Sequence, residues 1–346
     1  HRPSLSVYEK GGRALAKVRD IDYLTISSRV RALESSLLTG ERMTRMLEAP
    51  TTEDAVKVLS ECGYPELTPL DVNTSHEVLA AEHRRIFEDL RAAVPEPAFI
   101  DIFKIKNDYH NVKVILKAEA TGTDGTSLLS ELGRVPAKEL TEKMNASDLR
   151  GIPPVLQAAI QNAREILGTT RDPQLADFAL DRAYYQDMWR LAQSASSPFL
   201  EGYVRISIED ANLRTAVRAI RMGKNAEFLR DILFTGGNMD ITRILTAASA
   251  GGSLAELFAL SPLKDAAEAG VVALAGGRLT QFEKLCDNAV TKYLQGAKYV
   301  AFGEAPVVAY LAAKENEFTA IRIILTGRLA GLDATTIQER LRDSYV

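Results

Sequence analysis

From Phe103 to Gly122 the chain reads F-K-I-K-N-D-Y-H-N-V-K-V-I-L-K-A-E-A-T-G, and the reading of this stretch decides the fold. With Val112 as origin and a step of about 100° per residue, Val112, Ile115 and Leu116 form one narrow apolar stripe flanked by Lys113 and Lys117. Thr121-Gly122 is a helix stop. The pattern returns from Arg205 to Gly223 as R-I-S-I-E-D-A-N-L-R-T-A-V-R-A-I-R-M-G. Here Asn212, Leu213, Arg214, Ala216, Val217 and Arg218 take the places of Asn111, Val112, Lys113, Ile115, Leu116 and Lys117. A looser copy, E-N-E-F-T-A-I-R-I-I-L-T-G, runs from Glu315 to Gly327 with Ile321, Arg322, Ile324 and Leu325 in register. Lys113, Arg214 and Arg322 lie 101 and 108 residues apart. A period near a third of the chain predicts three units, over 21–122, 123–223 and 224–346.

The units share a plan. In the first, helical spacing predicts helices over 23–38, 55–59, 73–93 and 99–120, with Thr51-Thr52-Glu53-Asp54 as a cap and Gly63-Tyr64-Pro65 as a breaker. Leu132-Gly133-Arg134-Val135-Pro136 and Leu233-Phe234-Thr235-Gly236-Gly237 stand where Leu38-Thr39-Gly40 stands in the first unit. Long helices then carry Phe178, Asp181, Tyr184, Tyr185, Met188 and Trp189 in the second unit, and cover 282–299 in the third. Alternating strand patterns are nearly absent, so the class is all-α. Residues 1–20 are set aside, since His1-Arg2-Pro3 reads as a processed end or an expression remnant.

Composition narrows the function. With 46% hydrophobic and 25% charged residues in a length of 346, the chain can bury a sizeable core. Its net charge of −4, dispersed in both signs, gives no field for a nucleic acid backbone or an anionic membrane. No run approaches the roughly 18 apolar residues of a membrane span. Cys62 and Cys286 read as two buried thiols in a reducing compartment. The Gly-Gly pairs at 236, 251 and 276 lack the phosphate-loop form and read as turns. His76, His83 and His110 form no H-E-x-x-H pair, and no D-D-x-x-D run or G-x-S-x-G elbow is present. No metal, cofactor or catalytic residue is therefore expected. The aromatic group from Phe178 to Trp189 reads as core packing.

Together, D-Y-H-N-V-K-V-I-L-K-A-E-A-T-G, I-E-D-A-N-L-R-T-A-V-R, L-D-R-A-Y-Y near residue 180 and V-V-A-Y-L-A-A-K-E-N-E-F-T-A-I-R-I-I-L-T-G-R-L-A-G-L resemble the C subunit of archaeal and bacterial V/A-type rotary ATPases, the counterpart of the eukaryotic d subunit. The likeness spans about Tyr23 to Leu332. It implies three similar helical domains around a pseudo-threefold axis, forming a funnel between the membrane rotor ring and the central shaft. It also implies a non-catalytic cytoplasmic adaptor, peripheral on the membrane, with the shaft and the ring as partners. The isolated chain is expected to be a monomer. An open α-solenoid scaffold for other partners is the alternative. In the third copy Ala320 replaces the Asn of the other two, and Thr326 replaces the basic residue.

Two residue sets stand out on the repeated helix. Lys113, Lys117, Arg214, Arg218, Arg221 and Arg322 read either as a solvated flank near a helix C-terminus or as a basic wall, and the resemblance favours a wall that receives the shaft. Asp108, Glu209 and Glu317 lie about 40° from the stripe, five residues before Lys113, Arg214 and Arg322, too far round to pair with them locally. A carboxylate at the edge of a core face calls for a donor from elsewhere in the fold.

Overall fold

The computed structural model describes residues 20–249 and 254–346. Helix accounts for 74%, and no strand occurs among the described residues. A 3-10 turn, Asp20–Tyr23, leads into α1 (Leu24–Glu34), α2 (Gly40–Glu48), α3 (Thr52–Glu61) and α4 (Val72–Ala93). Side-chain caps start three of these: Thr39, Thr51 and Asp71 accept from the N–H groups of Arg42, Asp54 and Thr74 at 3.1, 3.1 and 2.7 Å. Each satisfies a first-turn donor that the helix leaves open. α1 stops at Glu34 rather than at residue 38, because Leu37 and Leu38 turn into the core and the Leu38 N–H is taken by a distant carboxylate.

A second 3-10 segment, Pro97–Asp101, precedes α5 (Ile102–Thr121), so the helix expected from residue 99 begins three residues late. Gly122 ends it at φ 67°, a left-handed conformation that glycine adopts without strain. After α6 (Ala137–Asn145), α7 (Pro154–Thr170) and α8 (Pro173–Ser194) form a hairpin, of which the sequence pattern predicts only the second helix. The second copy lies in α9 (Pro198–Arg221). α10 (Ala226–Ile232), α11 (Ile241–Ser249), α12 (Leu254–Leu257), α13 (Lys264–Leu274) and α14 (Thr280–Gln295) follow. The third copy lies in α15 (Glu304–Leu329), which runs on past Gly327 before α16 (Ala334–Arg340). Gly327 belongs inside the helix because a Cβ there would come within 2.7 Å of Ile337 Cγ1.

The apolar stripes of all three repeated helices are buried. α5 packs on α6, α7 and α8 after it, and α9 packs on α13 and α14 after it as well as on α8 before it. α15 has only α16 after it and returns to α1 and α4. The first turns of α9 (Leu200, Val204, Ile208) join one apolar core, and its later turns (Leu213, Ala216, Val217) join a second one with α13 and α14. No helix among the described residues is long and apolar enough to cross a membrane.

Candidate functional site

The repeated helices reach the rest of the chain through matching polar anchors. Asp108 is fully buried and accepts from Arg134 Nε at 2.7 Å and from the Val135 N–H at 3.1 Å. Glu209 is bonded by Asn238 and the Met239 N–H, the corresponding place after α9. Glu317 accepts from the Leu38 N–H at 2.5 Å and is also bonded by Tyr64 and Lys314. Burial pushes the Asp108 and Glu209 carboxyls upward, against the pull of these donors. Asn111 and Asn212 complete the pattern. Asn111 exchanges two bonds with the backbone of Ser130, both 2.8 Å, and Asn212 does the same with Phe234 at 2.7 and 2.8 Å. The two asparagines are in register in the sequence, but the role that the register marks is visible only in these bonds. Two glycines make room for the carboxylates: a Cβ on Gly133 would lie 2.4 Å from Asp108 Oδ1, and one on Gly237 would lie 2.9 Å from Glu209 Cγ.

Between the repeated helices lies a cavity of about 390 Å³. Lys106 of α5, Ser207 of α9 and Glu315 of α15 all line it, and they are separated by the same 101 and 108 residues as the basic positions. One face of each repeated helix therefore looks onto a shared space. Tyr184 and Tyr185 of α8, Asp287 of α14 and residues 341–346 supply further walls. Most charges in the lining are paired. Glu315 bridges His83 and Lys106; burial opposes its ionisation, but these two partners together hold its carboxyl down to about 2. Asp287 bonds Arg214 through one oxygen and Arg342, at 2.6 Å, through the other.

The six basic residues lie elsewhere, none of them in the cavity lining. Lys113 is 2.5 Å from Asp181 of α8. Arg214 is bonded to Asp210 at 2.8 Å and to Asp287, and Arg218 to Glu283, both acids of α14 in the latter two pairs. Lys117 is exposed in the neighbourhood of Asp177. Arg221 is exposed and Arg322 half-buried, and neither makes an ion pair among the described residues. Of the aromatic group, Phe178 meets Phe228 edge-on, Trp189 lies 4.9 Å beneath Arg205, and all are half-buried rather than fully enclosed. His83 is buried on Phe87, whereas His76 and His110 are exposed. Cys62 and Cys286 are free and buried.

At their N-terminal ends the repeated helices converge. Ser197, which caps α9, donates to Glu304 of α15; Ser27 donates to the Gly303 carbonyl at 3.3 Å; and Tyr23 meets Phe99 with centroids 6.3 Å apart. Around this vertex Ile21, Leu24, Tyr299, Val300 and Phe302 are exposed, Tyr299 by 92%. Glu304, Glu96 and Asp20 surround Tyr23, whose hydroxyl is raised by burial first and by these acids second. Five large apolar side chains with an acidic rim form the type of patch that marks a contact surface.

Comparison with known proteins gives the family. The profile of the family described as ATP synthase (C/AC39) subunit matches residues 26–340. The chain is 23% identical to the C subunit of the V-type sodium ATPase of Enterococcus hirae over 328 residues, covering 94% of this chain and 99% of that protein. It is 24% identical to the C subunit of the A-type ATP synthase of Thermococcus kodakarensis, covering 90% and 88%. The C subunit of the V-type ATP synthase of Thermus thermophilus is likewise 24% identical, with 92% and 98% covered.

Proposed function

Because the chain belongs to the ATP synthase (C/AC39) subunit family, we propose that it is a non-catalytic central-stalk adaptor, joining the shaft of a rotary ATPase to the membrane rotor ring and passing torque between them. The observation that carries this reading is the shared register of Lys106, Ser207 and Glu315 around one cavity, with the same three helices meeting at an exposed apolar vertex. The reading makes the cavity the axis of a three-unit funnel, the vertex its narrow end on the ring, and the opposite side the entry for the shaft. Each unit is then completed by the repeated helix that precedes it in the chain, with α15 completing the first. An open solenoid would keep its first and last helices apart, and the packing of α15 on α1 and α4 favours closure. Torque needs stiffness, which buried packing and the backbone-anchored Asn111, Asn212 and Asp108 supply. Lys117, Arg221 and Arg322 are the members of the basic set left to meet a shaft at the rim.

The experiment is co-purification from membranes with the shaft and ring proteins, on the cytoplasmic face where this reading puts the protein. The unsubstituted chain should bring down both. Tyr299→Asp with Phe302→Asp should release the ring and keep the shaft. A chain that purifies free of both refutes the adaptor role.

A further inference from the structure

The cavity has one wall unlike the others. Residues 341–346 belong to no helix and lie along α14, whereas most of the lining is helical. The segment is held at 2.9 Å by Asn288 Oδ1 on the Asp343 N–H, at 3.3 and 3.4 Å by Gln295 on the Ser344 and Tyr345 carbonyls, and by the Arg342 pair to Asp287. Among the described residues, no backbone-to-backbone hydrogen bond joins 342–346 to the rest of the fold. Tyr345 is buried with Lys298 5.0 Å above its ring and Arg31 near its hydroxyl. Arg31 also donates to Glu34 and to the carbonyls of Ala297 and Val300.

Fastening then decides what can yield. The packed helices around the cavity are fixed by their cores, whereas residues 342–346 are hydrogen-bonded, among the described residues, only through bonds that use a side chain. We infer that residues 341–346 form a displaceable strap, which occupies the socket until the shaft enters and moves it aside. This rests on the reading of the cavity as the shaft's socket. Displacement also removes Arg342 from Asp287 and leaves that carboxylate to Arg214 alone, so the strap links entry of the shaft to a basic residue of the repeated helix.

A crosslink tests it, since a Cβ on Gly40 lies 4.0 Å from Ser344 Oγ, close enough for a disulfide, and both native cysteines are buried. Oxidised Gly40→Cys/Ser344→Cys protein should bind purified shaft proteins about tenfold or more weakly compared with its reduced form, because the competent state is withheld. The Asp343 amide, bonded to Asn288 Oδ1, should lose hydrogen-exchange protection when the shaft is added. Equal binding by oxidised and reduced forms, with unchanged exchange, would make the segment a fixed wall and overturn the proposal. Failure of every form to bind, the unsubstituted chain included, would remove the socket reading and the strap with it.

Discussion

Asn212 and Asn111 make the same two bonds in surroundings of different wetness, which turns one substitution into an internally controlled experiment. Asn212→Ala removes a donor and an acceptor and leaves the N–H and C=O of Phe234 without partners in a buried site. Each orphaned group costs about 1–3 kcal/mol, so a loss of about 2–5 kcal/mol is expected. Ser130, the partner of Asn111, is half-exposed, and water can take over part of both bonds. Asn111→Ala should therefore cost about 1–2 kcal/mol. Urea unfolding followed by circular dichroism gives the two free energies, and exchange of the Phe234 amide gives a local readout that should quicken only in Asn212→Ala. Ala320→Asn, at the matching place in the third helix, looks into the cavity and should change stability by less than about 0.5 kcal/mol. Equal losses at the two asparagines, or both below about 0.5 kcal/mol, would refute the argument that these anchors fasten each repeated helix to the segment after it.

Gly133→Ala forces a methyl group to within 2.4 Å of Asp108 Oδ1 and should cost about 1–3 kcal/mol by melting, since the carboxylate must leave its donors. Gly168→Ala, inside α7 with nothing within 4 Å, should instead stabilise by up to about 1 kcal/mol, and a loss there would count against the open surroundings. The Glu315 carboxyl is held at about 2, below the ordinary 4.5. A depressed acid gives stability that is present above the unfolded value and lost as pH falls from about 4.5 to 2, a few kcal/mol in all. Glu315→Gln should flatten stability in that window, and an unchanged acid limb would show that His83 and Lys106 do not hold the ionised form.

The all-α class and the positions of the repeated helices were legible because an apolar stripe of period 3.6 is a local property, and Val112, Leu213 and Ile321 each announce it. Boundaries were less so where a tertiary contact decides them. Leu37 and Leu38 continue the helical spacing of α1, yet the Leu38 N–H belongs to Glu317, 279 residues away, and nothing near either residue signals it. The return of α15 to α1 and α4 was hidden for the same reason: a period locates copies along the chain but is silent about which neighbour each copy packs on. Gly133 and Gly237 could have been found, because each lies in the segment that opens a unit; their close approach to Asp108 and Glu209 depends on how that segment folds back.

The basic residues show where a helical wheel stops being informative. A wheel fixes the angle between Lys113 and the stripe at Val112, but the group opposite that angle comes from another part of the chain. On α5 and α9 that group is an acid, Asp181 for Lys113 and Asp287 for Arg214, so the flank that could be solvated or face a partner is instead an ion-paired seam between packed helices. Charge reversal there would set like charges in contact between packed helices before any association is measured. On α15 the matching Arg322 has no such acid among the described residues, so the three positions are equivalent in sequence register and unequal in electrostatic surroundings. Steering of a shaft by charge would then fall to the exposed Lys117 and Arg221, where screening by salt is strongest. The cavity itself carries paired charges, Lys106 with Glu315 and Arg342 with Asp287, and recognition within it must come from shape and hydrogen bonding rather than from a field of one sign.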